Sequence, residues 1–134
     1  MASDASFGVI LWTTDIAGLA YFLSVVAAAD IEEQHPGFAV LYAGSARIEL
    51  HADETYRGHP WYNALAREGA ARGIGTELRF GVEDVQDAYA RALRIGAQPI
   101  TPPYAQGRVM ECQVMGPDGF LVCLWGPAPI GWAE

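Results

Sequence analysis

Apolar and polar residues along this chain follow two periods in turn, and the order of the periods repeats. Over residues 77–82, Leu78, Phe80 and Val82 alternate with Glu77, Arg79 and Gly81. A period of two gives a strand with one apolar face. Asp84 then offers an N-cap oxygen, with Asp87 three residues on in a variant of the capping box. Val85, Ala88, Ala92 and Ile95 keep helical spacing, and Gly96 supplies the left-handed position that ends a helix. The start of the chain reads the same way. Val9, Leu11 and Thr13 alternate with Ile10, Trp12 and Thr14, and Asp15 caps a helix predicted over 16–28.

Three strands are predicted after each helix. In the first half they fall at 29–34, 38–43 and 46–52, with turns at His35-Pro36-Gly37 and Gly44-Ser45. In the second half a short strand at 98–101 precedes a turn at Pro102-Pro103, with Tyr104 in the loop beyond. A hairpin over 108–125 closes that half, turning at Gly116-Pro117-Asp118-Gly119, where proline presets φ and glycine admits positive φ. Asp15-Ile16 then matches Asp84-Val85, and Arg47-Ile48-Glu49-Leu50-His51 matches Leu121-Val122-Cys123-Leu124-Trp125. Two βαβββ units in tandem are the organising feature. They read as one domain, with module one at 6–53, a linker helix within 54–75, module two at 76–127 and a tail at 128–134. The linker is polar, carries Gly58, Pro60, Gly69 and Gly73, and predicts a helix near 60–72.

Alternation also assigns faces. With Leu78, Phe80 and Val82 under the helix, Glu77 and Arg79 point the other way. The same parity sends Ile10, Trp12 and Thr14 to that second face, with Phe38, Val40 and Tyr42. Arg47, Glu49 and His51 join them, as do Leu121, Cys123 and Trp125. The candidate ligand-binding residues are therefore Trp12, Tyr42, Arg47, Glu49, His51, Glu77, Arg79, Cys123 and Trp125. A few polar groups in an apolar wall suit a small-molecule cavity, and indole faces suit flat or cationic compounds. Each residue also has a plainer reading. Glu49–Arg79 and Glu77–Arg47 can simply neutralise each other. His51 can be an ordinary strand-end histidine, Trp12 and Trp125 can be packing, and Cys123 can be an inert thiol.

Composition narrows the classes. A chain of 134 residues suits one core, and 51% hydrophobic content excludes a disordered chain. The net charge of −8 argues against a nucleic-acid surface and against acidic membranes. No apolar run approaches a membrane span, and Met1-Ala2-Ser3-Asp4 lacks the basic start of a signal peptide, so a cytoplasmic location is expected. Cys112 and Cys123 lie on opposite arms of the last hairpin. A reduced pair is expected, with a cross-strand disulfide as the alternative. No phosphate-binding glycine loop, nucleophile elbow or zinc-finger spacing is present.

The pattern resembles the vicinal oxygen chelate superfamily, which includes glyoxalase I, extradiol dioxygenases, and fosfomycin- and bleomycin-resistance proteins. The resemblance covers nearly the whole chain. It is carried by residues 78–85, by Ala88-Tyr89 and Gly96-Ala97, and by Pro117-Asp118-Gly119-Phe120. It implies an α+β fold in which two βαβββ modules form a curled, half-barrel mixed sheet around a cavity, with the helices outside. It also implies a homodimer in which the partner chain completes the cavity. Metal-using members place one ligand on the first and one on the last strand of each module. Carried over, those positions are Gly8, Glu49, Glu77 and Cys123. Gly8 has no donor atom, Glu77 stands where an imidazole is usual, and Cys123 stands where a carboxylate is usual; Glu49 alone matches. Such a set does not suit a hard or borderline divalent ion, so no cofactor is expected. The alternative is an altered divalent-metal site using Glu49, Glu77 and His51.

Two functions follow from the resemblance. One is a metal-free binding protein like those of the bleomycin-resistance branch, sequestering an aromatic or cationic compound. The other is a glyoxalase- or dioxygenase-type lyase, isomerase or oxidoreductase with an altered metal site. A metal-free enzyme using Glu49 or Glu77 as a general base is a third course. Catalysis is left open at this point.

Overall fold

A computed structural model describes residues 7–132. The first half runs β1 (Phe7–Thr13), α1 (Ile16–Ala27), β2 (Asp30–Gln34), β3 (Phe38–Ala43) and β4 (Ala46–Ala52). A 3-10 turn at Asp53–Tyr56 and α2 (Pro60–Ala66) form the link. The second half runs β5 (Glu77–Gly81), α3 (Val85–Arg94), β6 (Gln98–Gln106), β7 (Val109–Met115) and β8 (Leu121–Pro127).

Each half makes its own four-stranded mixed sheet, ordered β1-β4-β3-β2 and β5-β8-β7-β6. The first strand of each half pairs in parallel with the last, and the remaining pairs are antiparallel. The duplication read from the sequence is thus a duplication of topology, in an α+β fold of curled sheets that form no closed barrel among the described residues. Both helices start where a carboxylate caps them: Asp15 Oδ1 accepts from Gly18 N at 2.9 Å and Asp84 Oδ1 from Asp87 N at 3.0 Å. A side chain at Gly18 would collide with the Asp15 carboxylate, 2.3 Å from an added Cβ.

The helices share one side of the sheets. Leu11, Leu41, Ile48 and Leu50 from the first sheet, and Phe80, Met110, Val114, Val122 and Leu124 from the second, meet Leu19, Leu23 and Val26 of α1 and Val85, Ala88 and Ala92 of α3 in one core. Among the described residues, no helix is long and apolar enough to cross a membrane.

Two predicted elements differ. The linker helix stops at Ala66 rather than near 72, because Gly69 and Gly73 take positive φ, at 68° and 70°. The strand predicted at 98–101 runs on to Gln106, so Pro102-Pro103 is not a turn and Tyr104 lies in a strand. Prolines give no N–H to a ladder. They are accommodated here because β6 is an edge strand whose register shifts at Pro99/Thr101 and again at Thr101/Tyr104.

The modules are locked together at the β7–β8 turn. The Asp118 carboxylate accepts from Thr13 Oγ1 (2.5 Å), Thr14 N (2.8 Å) and Thr14 Oγ1 (2.8 Å) at the end of β1. Arg72 of the linker lies 3.9 Å from Asp118 and donates two hydrogen bonds to buried Asp53, at 2.8 and 2.5 Å. Asp118 holds this place with a left-handed φ of 61°, unusual for a residue other than glycine.

Candidate functional site

Register confirms the face assignment. Gly8, Ile10 and Trp12 of β1 lie beside Arg47, Glu49 and His51 of β4, which in turn face Tyr42, Val40 and Phe38 of β3. In the second sheet, Glu77 and Arg79 lie beside Leu121 and Cys123, and Cys123 and Trp125 face Gln113 and Glu111 of β7. These are the sides away from the helices. The nine candidates therefore fall into two groups, one on each sheet.

The first group is a hydrogen-bonded chain. Arg47 donates to Glu49 Oε2 (2.8 Å) and to the Tyr42 hydroxyl (2.7 Å). His51 Nε2 stands 2.9 Å from Glu49 Oε1, and Nδ1 stands 2.5 Å from the Tyr56 hydroxyl. A carboxylate only accepts, so Nε2 carries the proton and Nδ1 accepts from Tyr56. Hydrogen bonds from Arg47, then from His51, hold the Glu49 carboxyl below the usual carboxylate range. Burial, then the Glu49 charge, pushes the Tyr56 phenol up. Trp12 is not an open platform: it is 8% exposed and stacked on Tyr56, with ring centroids 3.8 Å apart. His59 accepts from Trp61 N at 3.0 Å and packs edge-on to Trp12.

The second group is more open. Arg79 reaches Glu111 through two contacts of 3.4 and 3.3 Å, Cys123 Sγ at 3.3 Å and Glu77 at 3.6 Å. Gln113 donates to Glu77 at 3.2 Å and accepts from Thr101 Oγ1 at 2.9 Å. Arg79 holds Glu111 below the usual carboxylate range, and the Glu111 charge raises the Tyr104 phenol. Trp125 stands beside this group at 40% exposure, its indole against Gly81, where an added Cβ would come within 3.1 Å of the ring.

The cross-module pairs expected from the sequence do not form. Arg47 pairs with Glu49, and Arg79 with Glu111 and Glu77, each within its own sheet. The strand pleat explains this: residues two apart, or opposite on a neighbouring strand, share a face at close range. The disulfide alternative also fails. Cys112 faces the helices and Cys123 the other side, and both are free and buried. Burial pushes the Cys123 thiol up to about 12, despite Arg79, and the Cys112 thiol up to about 11. Neither is a poised nucleophile.

The four places implied for a metal do not fit one. Gly8 offers no donor. Glu49 is held by Arg47 and His51, Glu77 by Arg79 and Gln113, and the Cys123 proton is hard to remove. A divalent ion at either carboxylate would meet a guanidinium beside it. Among the described residues no cluster of three or more His, Cys, Asp or Glu is placed to hold a metal ion.

Tyr56, Glu111 and Gln113 were not among the sequence candidates. Glu111 and Gln113 were within reach, because they alternate with Met110, Cys112 and Val114. Tyr56 carries no such mark, since it sits in an aperiodic link.

No family model matches the chain, and no curated protein matches it. Solved structures do. A glyoxalase/bleomycin resistance protein/dioxygenase family enzyme from Burkholderia phytofirmans PsJN superposes with a TM-score of 0.73 at 24% identity, over 90% of this chain and 97% of that one. A glyoxalase-related enzyme from Fulvimarina pelagi gives 0.71 at 16% identity, over 96% and 93%. A glyoxalase/bleomycin resistance protein/dioxygenase from Nocardioides gives 0.65 at 19%, over 96% and 86%. The chain has the fold of these proteins.

Proposed function

We propose that this protein binds a small planar cation without a metal, in the manner implied by the resemblance to the bleomycin-resistance branch. The observation that carries the reading lies on the second sheet. Trp125 presents a part-exposed indole directly opposite Glu111, with Glu77 close by and Arg79 as the one cation of the group. Two carboxylates against one guanidinium leave a net negative wall next to a π face, a combination that attracts a flat cation. A second copy of the chain is proposed to close that wall, and a reducing, cytoplasmic setting suits two free thiols.

Titration with proflavine, a planar monocation, tests the reading through tryptophan emission. Saturable quenching is expected, weakened about tenfold by Trp125→Ala and about fivefold by Glu111→Gln. The absence of saturable binding by any planar cation sinks the proposal. So does one tightly held divalent ion per chain in freshly purified protein.

The Tyr56–His51–Glu49 chain supports a second reading, a metal-free proton-transfer enzyme, because a phenol proton directed at an imidazole backed by a carboxylate is an acid–base arrangement. Solvent deuterium entering a carbon-acid substrate, and lost in His51→Asn, would put that reading first.

A further inference from the structure

We infer that the groove between β1 and the linker is a separate binding site for a neutral, flat, apolar molecule, with α2 as its cover. The groove holds about 430 Å³, within the range of small-molecule sites. Ile10 and Trp12 form one wall, Trp61 and Ala64 of α2 the other, and Ile74 and Phe120 lie along it. Three of these side chains remain in water: Ile10 is 47% exposed, Trp61 61% and Ile74 81%. Single exposed apolar residues need no explanation, but three on the rim of one groove mark a surface that a ligand would remove from water.

Charge selects the ligand class. Arg72 is the one charged residue in the lining, and both its terminal nitrogens donate to Asp53 while the guanidinium faces Asp118. It has no free charge for an anion, and the lining holds no carboxylate close to the indoles to draw a cation. A neutral molecule is what remains. Trp12 is covered by Tyr56 and His59 and backs the groove, 5.7 Å from the Trp61 ring, so the exposed Trp61 indole is the face against which a flat ring can pack.

The cover is built to move. α2 buries none of its residues. Gly58 precedes it and Gly69 and Gly73 follow it, all at positive φ, where glycine changes conformation at little steric cost. α2 can therefore swing without opening the core. This site lies on a different wall from the Trp125 group and does not rest on the cation reading.

N-phenylnaphthylamine, which is uncharged, serves as the probe on the full chain, with its sulfonated analogue as the charged control. Saturable binding with tryptophan quenching is expected, at least about tenfold tighter for the neutral probe. Ala64→Trp fills the groove from a helix that buries nothing and should abolish binding, while Trp61→Ala should weaken it about tenfold. In case either variant unfolds, hydrogen exchange on the unaltered chain gives an independent reading: the probe should protect linker amides between 59 and 74 and none in β6–β8. Equal binding by Ala64→Trp, preference for the sulfonate, or no protection of the linker overturns the proposal. Proflavine reads Glu111 and the neutral probe reads Ala64, so failure of one site is distinguishable from failure of the other.

Discussion

At the scale of single residues, Asp118 matters most outside the binding groups. It sits in a left-handed conformation that glycine would adopt more easily, yet its carboxylate takes three hydrogen bonds from Thr13 and Thr14 and faces Arg72. Burial would raise the Asp118 carboxyl, but these donors outweigh it and hold the group below the usual carboxylate range. Its side chain is 11% exposed and Thr13 is buried, so the Thr13 hydroxyl would be poorly hydrated after its loss, while exposed Thr14 would regain water. Asp118→Asn keeps the size and tolerates the backbone while removing the charge. The expected loss is about 1–3 kcal/mol in denaturant unfolding. The sign with pH follows. A depressed carboxyl binds fewer protons folded than unfolded, so its contribution is complete above the unfolded value of about 3.9 and is lost as pH falls through the folded one. Stability of the unaltered chain should therefore drop in acid below about pH 4, and the Asn variant should show a shallower drop.

At the scale of elements, most of the fold was legible because each element announced its own period. The strands at Phe38–Ala43 and Ala46–Ala52 and both Asp-capped helices stand where alternation and caps put them. β6 was not legible, since prolines read as a turn unless the strand is known to be an edge, and edge position is a property of the sheet rather than of the segment. The same limit hid the site's pairings. Parity gave the correct face for Glu49 and Arg79; the Arg47–Glu49 pair is local, two residues apart on one strand, but the Arg79–Glu111 pair rests on the register of β5, β8 and β7, which no local pattern encodes. Gly126 shows how tightly one such junction is packed. A Cβ there would lie 2.2 Å from the Val82 carbonyl oxygen, on backbone that cannot rotate away. Val82 N also donates to Trp125 O at 2.8 Å, which fixes β8 against the end of β5. Gly126→Ala should therefore cost about 2–3 kcal/mol by overpacking, seen as a lowered unfolding midpoint with secondary structure retained. A neutral substitution would mean that this junction yields.

At the scale of the whole molecule, the sheets are guarded at their outer edges and open on one face. β2 is exposed throughout and carries Asp30, Glu32 and Glu33, while β6 carries Pro99, Pro102 and Pro103. Charges and missing N–H groups both discourage strand addition at an edge. Association between copies is then expected to use a face rather than these two edges, and the second sheet offers one. Tyr104, Val109 and Trp125 lie there, each about 40% exposed. Docking on that face should give a dimer in sedimentation at micromolar concentration, with an interface of roughly 1,600 Å². Each copy carries a net charge of −8, so long-range repulsion opposes the encounter and added salt should tighten the dimer. Val109→Asp places a like charge in the contact and should shift the boundary to the monomer while leaving the far-ultraviolet spectrum unchanged. Sedimentation of the unaltered chain as a monomer at all concentrations would leave the Trp125 wall open to solvent. A bound planar cation would then have one side in water, and the affinity expected for it would fall accordingly.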